Sequence, residues 1–382
     1  MLEAFLNNKP LYYDEIDYTR MPRIYEKIKT SLKLPQIIHL VGTNGKGTTG
    51  RFLASALVSR GFDVGHYSSP HILEFNERIW KNGANVSNAA LEAAHEELLR
   101  LLSSEDADAL SYFEYTTLLA MLIYRECDYV VLEAGLGGEY DATAVFDNIL
   151  TLVTPIDFDH EAFLGSNIDD IATTKLNAVK SAAILGVQKH SQVAKIAQEI
   201  AQKRSLRLAS YNEYIDASDA VKIAQISEKL ALAEYLQNNL KLSIAALKFL
   251  GIEYKAEDFF KAKLFGRLSR LSENILLDVG HNTLAAHSIA KSLEGEKYTL
   301  VYNSYKDKNY TEILRILAPV VESVALIFVN EERIEKPTLI KAAAQRVGLE
   351  CREFEKIEAE KNYLVFGSFS VAETFLREYY HG

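Results

Sequence analysis

Short runs of apolar residues alternate along the chain with longer stretches in which apolar residues recur at helical spacing. The apolar runs predict buried strands at 36–42, 62–67, 128–135, 149–156 and 181–187. The helical stretches predict helices at 48–62, 114–127, 191–204 and 232–251. Apolar strands separated by helices are typical of a parallel sheet covered on both faces. The pattern therefore predicts an α/β fold.

A segment rich in Lys, Arg and Ser at 261–274 interrupts this pattern, and we interpret it as an interdomain linker. Beyond it the alternation starts again, with four apolar runs that predict strands: NILLDVG, YTLVYNS, SVALIFVN and YLVFGSF. A second α/β unit of about 110–120 residues is a normal domain size. We therefore predict two domains, 1–262 and 263–382, of which the second is the smaller.

The chain has 382 residues, and 52 acidic against 42 basic residues give it a formal net charge of -10. An acidic chain argues against broad binding to nucleic-acid backbones, which requires clustered cations. Two cysteines, Cys127 and Cys351, are too few for a disulfide framework and favour a reducing compartment. No signal-peptide pattern is present, and no stretch approaches the ~18 apolar residues of a membrane span. We expect a cytoplasmic monomer with small-molecule substrates and no nucleic-acid or membrane partner.

The strongest local motif is GTNGKGTT at 42–49, which follows a predicted strand and opens a predicted helix. Glycines allow successive backbone N–H groups to point at one anion, and the start of a helix adds partial positive charge. A lysine in this place can reach the terminal phosphates of ATP, and a threonine hydroxyl can bind Mg²⁺. The residues that we predict to bind the ATP phosphates are Gly42, Asn44, Gly45, Lys46, Gly47 and Thr48.

The spacing departs from the common phosphate loop, because Gly47 separates Lys46 from Thr48. A glycine-rich turn with a solvated lysine is the alternative interpretation. The order of strand, glycines, lysine, hydroxyl and helix favours nucleotide phosphates over that alternative. The motif says nothing about the second substrate.

Two further polar residues follow neighbouring predicted strands. Glu133 closes the strand at 128–135, and His160 follows the strand at 149–156. In an open parallel sheet, ligands bind at the carboxyl ends of the strands. Either residue alone is more often solvated or structural, but beside a phosphate loop both are suited to Mg²⁺. The segment Ser68-Ser69-Pro70-His71 predicts a tight turn, for which a cis bond before proline is one option.

Together these motifs resemble the bifunctional folylpolyglutamate synthase/dihydrofolate synthase group of the Mur ligase superfamily. The resemblance runs from about residue 36 to 372. It is carried by GTNGKGTT, SSPHILEFNERI, YFEYTTLLA, VLEAGLGGEYDAT, DFDHEAFLG, IATTKLNAVK, FGRL, LDVGHN, YKDKN and VFGSF. The second and fourth blocks point to the folate branch, whereas GTNGKGTT and LDVGHN alone indicate only the superfamily.

The resemblance implies a P-loop parallel-sheet ATPase domain followed by a smaller Rossmann-like α/β domain. It also implies ATP-dependent addition of L-glutamate to dihydropteroate, to reduced folates, or to both, through an acyl phosphate. The cofactors implied are ATP and Mg²⁺, and the implied domains are a Mur-ligase-type ATP-binding domain over 1–262 and a glutamate-ligase domain over 263–382.

The residue roles implied by the resemblance fall into four groups. The metal ligands are Ser69, Glu133 and His160, beside Thr48 of the phosphate loop. The further ATP contacts are Asn239, Arg267, Asp278 and His281. The substrate contacts are Ser68, Pro70, Phe113 and Asp141, of which Phe113 can stack on a flat ring or be a core aromatic. The catalytic residues are Lys46, His160 and Lys175, the last matching a lysine that the family carries as a carbamate.

Several positions depart from the family pattern. Thr174-Lys175-Leu176-Asn177 stands where the family reads Glu-Lys-Ala-Gly, and Glu139 stands where arginine is frequent. Ala144 replaces an asparagine, and Asn309 replaces the last acid of an Asp-Lys-Asp motif.

Two other functions remain open from the sequence. Another Mur-type ligase acting on a nucleotide-linked peptide would require an extra N-terminal domain, and about 35 residues precede the first predicted strand. A P-loop protein that uses ATP as a switch, without ligation, would hydrolyse ATP slowly and alone.

Overall fold

The computed structural model describes residues 1–10 and 17–380, and the chain divides into two compact units. Unit 1 comprises Met1–Leu232 and Leu236–Lys263, and unit 2 comprises Ala233–Tyr235 and Leu264–Gly382.

Within the described residues, unit 1 contains an eight-stranded sheet with the order β4-β3-β2-β5-β1-β6-β7-β8. Its strands are β1 Gln36–Val41, β2 Val64–Tyr67, β3 Ile79–Lys81, β4 Ala84–Asn85, β5 Tyr129–Glu133, β6 Leu150–Val153, β7 Ala182–Leu185 and β8 Arg207–Ser210. The six strands from β2 to β8 in this order pair in parallel, whereas β3 and β4 pair antiparallel at one edge. The carboxyl ends of the parallel strands therefore share one edge of the sheet.

Helices cover this sheet, with most of the last one belonging to unit 1. They are α1 Leu2–Asn7, α2 Arg20–Ile28, α3 Lys46–Ser59, α4 Asn88–Leu101, α5 Ser104–Ala109, α6 Tyr112–Tyr124, α7 Glu161–Leu164, α8 Ile168–Leu176, α9 Ser191–Arg204, α10 Ala217–Leu230 and α11 Glu234–Phe249. Short 3-10 helices lie at Lys29–Ser31, Phe75–Arg78, Ala142–Val145, Tyr211–Glu213 and Ala256–Phe259.

The apolar run of β1 is buried on both faces of the sheet. Ile37 packs into the cluster that contains Leu118 of α6, whereas Ile38 packs with Phe52 of α3 on the other face. Burying one such side chain fully contributes about 1.5–3 kcal/mol to folding. Helix α6 starts at a capping box, in which Ser111 Oγ accepts from Glu114 N–H at 3.2 Å and the Glu114 carboxylate accepts from Ser111 N–H. The packing of Phe52 against Ile38 fixes α3, which begins at Lys46, against the middle of the sheet.

Unit 2 contains a six-stranded sheet, within the described residues, with the order β13-β12-β11-β14-β10-β9. Its strands are β9 Ser269–Ser272, β10 Ile275–Leu277, β11 Tyr298–Tyr302, β12 Val321–Leu326, β13 Glu350–Glu353 and β14 Tyr363–Phe366. Its helices are α12 Thr283–Ser292, α13 Tyr310–Leu317, α14 Pro337–Arg346 and α15 Phe369–Thr374, with a 3-10 helix at Ala318–Val320 and a π-helix at Phe375–Tyr379. All pairs are parallel except β9 with β10.

The predicted α/β class, with two parallel-rich sheets, is confirmed, and each strand predicted from an apolar run is present. The interpretation of 261–274 as linker throughout is wrong, because Ser269–Ser272 forms the edge strand β9. An edge strand is bonded on one side only and needs no apolar run, so its polar sequence gave no strand signal. The polar edge strand β13 and the short strands β3, β4 and β8 were missed for similar reasons.

Within residues 1–10 and 17–380, the structure contains no helix that combines the length and the apolar character needed to cross a membrane.

Candidate functional site

The GTNGKGTT segment joins β1 to α3 at the carboxyl edge of the unit 1 sheet. Two of its glycines have backbone angles that other residues rarely adopt, with φ of 144° at Gly42 and 89° at Gly45. A Cβ at Gly42 would also overlap Thr154 Oγ1, and a Cβ at Gly45 would lie 2.5 Å from Asn239 Oδ1. The glycines therefore let the loop pass close to β6 on one side and to α11 on the other.

Lys46, the first residue of α3, points its ammonium back over the loop. Its Nζ donates to the carbonyls of Gly42 at 3.1 Å and Thr43 at 3.4 Å, and lies 3.9 Å from Glu133 Oε1. The side chains of Lys46 and Glu133 are only 13% and 7% exposed. The loop cation and the carboxylate at the end of β5 thus face each other in a largely dehydrated position, where their charges are weakly screened.

Hard oxygen ligands for a divalent cation surround this lysine. Thr48 Oγ1 is buried and has no hydrogen-bond partner among the residues that the structure describes, although a buried hydroxyl is costly to leave unbonded. Glu133 supplies a buried carboxylate, and Mg²⁺ prefers such oxygens together with substrate phosphates. The described residues contain no group of three or more His, Cys, Asp or Glu side chains placed as a metal cage. The donors therefore fit a cation held jointly with phosphate oxygens better than a dedicated protein cage.

The loop that carries His160 is tied to the phosphate loop. Thr43 Oγ1 donates to Asp157 O at 2.9 Å, and Asp157 N–H donates back to Thr43 Oγ1 at 3.0 Å. The carboxylate of Asp157 accepts from His190 at 2.8 Å and from Lys189 at 3.1 Å. Burial alone would raise the pKa of Asp157, but these hydrogen bonds outweigh it and hold the pKa below its usual value. His160 itself is half-buried and adopts a left-handed conformation at the start of α7.

Lys175, near the end of α8, is buried directly under the phosphate loop. Its Nζ donates to Gly42 O at 3.1 Å. Burial and the nearby charge of Lys46 lower the pKa of Lys175 to about 7. An amine with this pKa is largely uncharged at slightly alkaline pH, so it can act as a nucleophile.

Two departures from the family pattern lie together beside Lys175. Asn177 Nδ2 donates to Glu139 Oε2 at 2.8 Å, and Glu139 N–H donates to Thr174 O at 2.9 Å. The Asn177 and Glu139 side chains are therefore hydrogen-bond partners of each other.

The residues predicted to bind the acceptor line the next strands of the same edge. Ser68 is buried after β2, and the bond between Ser69 and Pro70 is cis, one of the options predicted for this turn. Phe113, at the start of α6, packs against the backbone at Gly135, where a Cβ would lie 2.6 Å from its ring, and lies 5.8 Å from the Tyr67 ring. Phe113 is only half-buried and packs at the rim of the core, so a core aromatic and a ring that stacks on the substrate both stay predictions.

Asp141 is buried and already satisfied by its own loop. Its Oδ1 accepts from Thr143 N–H at 2.9 Å and Thr143 Oγ1 at 2.6 Å, and its Oδ2 accepts from Leu136 N–H at 2.8 Å. Burial nonetheless raises the pKa of Asp141. Because Thr143 Oγ1 donates its proton to Asp141, it accepts from His39 Nε2 at 2.8 Å. Burial lowers the pKa of His39 to about 3, so this ring is neutral. His39 could not be recognised from the sequence, because it lies inside an apolar strand.

Of the four further ATP contacts that the resemblance implies, Asn239 of α11 belongs to unit 1. Its side chain packs against Gly45, as described above, and one turn later Ser243 Oγ donates to Thr49 O at 2.8 Å. Helix α11 therefore holds the start of α3 from the side opposite to β6.

The other three predicted ATP contacts lie in unit 2. Asp278 accepts from Leu268 N–H at 2.8 Å, from Gly280 N–H at 2.7 Å and from Tyr235 Oη at 3.1 Å. Burial raises the pKa of Asp278, and the charge of Arg267 opposes that shift. The Arg267 guanidinium lies 5.5 Å from the Phe369 ring, which also lies 6.5 Å from the His281 ring. The structure thus places these three residues in one cluster within unit 2.

The fold and this site define a P-loop nucleotide-binding protein built from two α/β units. No family model matches the chain. The chain is 31% identical over 336 residues to the dihydrofolate synthase/folylpolyglutamate synthase of Escherichia coli, covering 84% of this chain and 79% of that protein. It is 38% identical to the crystal structure of Helicobacter pylori folylpolyglutamate synthetase, with a TM-score of 0.81 and coverage of 98% and 97%. The chain belongs to the folylpolyglutamate synthase/dihydrofolate synthase family.

A solved complex adds ligands to this comparison. E. coli FolC in complex with DHPP and ADP is 26% identical, with a TM-score of 0.81, and the match covers 98% of this chain and 95% of that one. The similarity therefore extends over both α/β units.

Proposed function

We propose that the protein is an ATP-dependent ligase that joins L-glutamate to dihydropteroate, to reduced folates, or to both. The observation that carries this proposal is the pair formed by Lys46 and Glu133, 3.9 Å apart beneath a glycine-rich loop at the mouth of a parallel sheet. Membership of the family, over nearly the whole chain, supports the choice of acceptor and of glutamate.

The reaction has two steps. A carboxylate oxygen of the acceptor attacks the γ-phosphorus of ATP, so that ADP leaves and an acyl phosphate forms. The glutamate amine then attacks the acyl carbon, the C–O bond to phosphate breaks, and the amine loses a proton as the amide forms. Phosphoryl transfer requires mainly positioning and neutralisation of charge.

The residues of unit 1 supply both requirements. The amides of residues 42–48 and the Lys46 ammonium bind and orient the phosphates. Thr48 and Glu133, with Ser69 and His160 from the neighbouring loops, would hold Mg²⁺. Bound there, the ion would neutralise charge on the phosphate oxygens. Asn239 holds Gly45 in place from α11.

We propose the predicted domain roles in the same terms. Residues 1–262 form the ATP-binding domain, and residues 263–382 form the glutamate-ligase domain in which Arg267, Asp278 and His281 face the nucleotide. Ser68, Pro70, Phe113 and Asp141 bind the pterin-bearing acceptor. The free thiols of Cys127 and Cys351 support the proposal that the protein acts in a reducing compartment such as the cytoplasm.

We also propose that Lys175 acts as a carbamate. The uncharged amine attacks CO₂, an N–C bond forms, and one proton is released to give an anion. Its lowered pKa and its position under Gly42 support this step, because the product places a negative group beside Lys46.

A single assay tests the proposed function. With ATP and labelled glutamate present, dihydropteroate and tetrahydrofolate are offered side by side, and both label incorporation and ADP release are measured. We expect ADP release only when an acceptor and glutamate are both present. Slow ATP hydrolysis that depends on neither the acceptor nor glutamate would instead favour an ATP-dependent switch protein.

The proposed metal ligands predict a change in magnesium dependence. We expect Glu133→Ala and His160→Ala each to raise the Mg²⁺ concentration for half-maximal rate by about tenfold or more, because loss of a residue that only orients a metal ligand already costs about 10–100-fold in metal affinity. The exposed carboxylate Glu126, which pairs with the exposed Lys33 at 3.1 Å, provides the control Glu126→Ala. An unchanged magnesium titration in both site variants would argue against the assignment.

A further inference from the structure

Arg78 is a buried arginine that has no role in the proposed mechanism. It ends the 3-10 helix Phe75–Arg78, is only 9% exposed, and its Nε donates to His71 Nδ1 at 2.7 Å. An imidazole that accepts this hydrogen bond at Nδ1 offers the guanidinium no negative charge. The guanidinium also lies 5.3 Å from the centre of the Tyr112 ring. None of these partners neutralises its charge.

The carboxylates near Arg78 are engaged elsewhere. Glu77 accepts from the N–H groups of Ile72, Leu73 and Glu74 at 2.8–2.9 Å, and so closes its own turn. Glu114 is paired with Arg20 at 2.9 Å. Among the described residues, no carboxylate lies within ion-pair distance of Arg78. A buried charge without a counter-charge is costly, so its retention calls for a bound anion or a structural reason.

Arg51 shows what a structural arginine looks like in the same unit. It is 8% exposed, its Nε donates to His66 Nδ1 at 3.2 Å, and its guanidinium lies 4.6 Å from the Trp80 ring. It joins α3 to β2 and β3 on the face of the sheet that carries Phe52 and Ile38. Arg51 and Arg78 therefore form a matched pair in burial, histidine partner and aromatic contact, at different places.

Arg78 differs from Arg51 in lying at the acceptor side of the site. Its carbonyl accepts from Ser68 N–H at 3.0 Å, so it borders the turn that holds Ser68 and Pro70. Burial raises the pKa of Tyr67 to about 12 and raises the pKa of Tyr112, and the charge of Arg78 opposes both shifts. The guanidinium thus lies near both tyrosines, and Tyr67 in turn contacts Phe113.

The strand order sets the distance between Arg78 and the reacting groups. Arg78 immediately precedes β3, and β2 lies between β3 and β5, whose last residue is Glu133. At about 4.8 Å per strand, the backbone of Arg78 is about 10 Å from that of Glu133 along the edge of the sheet. The carboxylate that accepts the phosphoryl group must lie beside Lys46 and Glu133. An anion bound by Arg78 beside His71 and Tyr112 is therefore distinct from the carboxylate that reacts.

We propose that Arg78, oriented by His71, binds a carboxylate of the acceptor other than the one being activated, namely the free carboxylate of a glutamyl residue already present on a reduced folate. This inference rests on the proposed function. An acceptor without glutamate, such as a pteroate, has only the carboxylate that reacts. Arg78 is then a residue that selects glutamate-bearing folates over pteroates.

Two ligands that differ only by one glutamate test this inference. Binding of tetrahydropteroate and tetrahydrofolate is measured by isothermal titration calorimetry in the presence of Mg²⁺ and ADP, without turnover. We expect the wild type to bind tetrahydrofolate about tenfold or more tightly than tetrahydropteroate, and Arg78→Gln to lose this difference. Arg78→Lys is expected to retain part of it, because lysine keeps the charge but not the planar fork.

Arg51→Gln is the matched control, and thermal unfolding of each variant is recorded. We expect Arg51→Gln to lower thermal stability while keeping the wild-type difference between the two ligands. An Arg78→Gln variant that weakens both ligands equally, or neither, would overturn the inference while leaving the ligase proposal in place. Failure of the wild type to bind either ligand would overturn the inference together with the proposed function.

Discussion

Replacing Lys46 by alanine is expected to lower the rate of ligation by about a thousandfold, the size of effect seen when a group that stabilises the transition state is removed from a dehydrated site. Lys46 is the cation that faces Glu133 at 3.9 Å, and its ammonium is held over the loop by the Gly42 and Thr43 carbonyls. Its removal leaves the charge that develops on the γ-phosphate without its partner. The measurement is the initial rate of ADP release with acceptor and glutamate both present.

The fold is expected to survive this change, because Lys46 belongs to neither apolar cluster of the sheet and its ammonium contacts loop carbonyls and Glu133. Lys195→Ala, at a side chain that is 77% exposed on α9, is the control for loss of a lysine in the same unit. The thermal unfolding midpoints of the wild type, Lys46→Ala and Lys195→Ala should agree within a few degrees. A Lys46→Ala protein that folds and ligates at nearly the wild-type rate would refute the assignment of the phosphate loop.

Replacing Lys175 by methionine is expected to abolish ligation and, at the same time, to raise stability at neutral and acidic pH. The folded-state pKa of about 7 lies below the ordinary value of 10.5, because burial disfavours the charged form. Between pH 7 and 10.5 the unfolded chain binds a proton at this position that the folded chain does not. Stability of the wild type therefore rises with pH across this window, and the cost of the buried charge is fully present below it.

The stabilisation by Lys175→Met is accordingly expected to be largest near pH 6 and to shrink by about 2–3 kcal/mol towards pH 9, at about 1.4 kcal/mol per pH unit above the folded pKa. Urea unfolding at several pH values, in buffers freed of CO₂, measures the effect. Lys195→Met is the control and should show no pH-dependent gain. A stability difference that is flat with pH would mean that Lys175 is not an uncharged amine in the folded protein.

The same residue carries the carbamate proposal, which has a separate readout. Intact mass under non-denaturing conditions in bicarbonate should show one added CO₂ in the wild type and none in Lys175→Met. Consistent absence of the added mass in ATP-bound wild type would remove the carbamate from the mechanism and leave Lys175 as a buried amine under Gly42.

The sequence alone predicted where the glycine-rich loop lies between a buried strand and a helix. Local order decides this, since a glycine-rich turn between a buried strand and a helix can be recognised from consecutive residues. The positions of Glu133 and His160 followed from the rule that parallel strands end at one edge of the sheet. The apolar runs likewise predicted the central strands, because those are buried on both faces.

The edge strands and the supporting polar contacts required the tertiary structure. β9 and β13 are polar in sequence and become strands only because a neighbouring strand offers hydrogen bonds on one side. His39 lies inside an apolar strand, and only the fold brings it to Thr143, far along the chain. Arg51 and Arg78 are both buried beside a histidine and an aromatic ring, and only their places on the sheet set them apart.

The sequence by itself determined the class of fold, the glycine-rich loop between a strand and a helix, and the family. The tertiary structure alone decided which charges are buried together, and therefore that Lys175 is a weak base and that Arg78 is a cation without a counter-charge among the described residues. The reason is physical. A loop motif is set by backbone geometry over a few consecutive residues, whereas a pKa or an unmatched charge depends on every group packed around it.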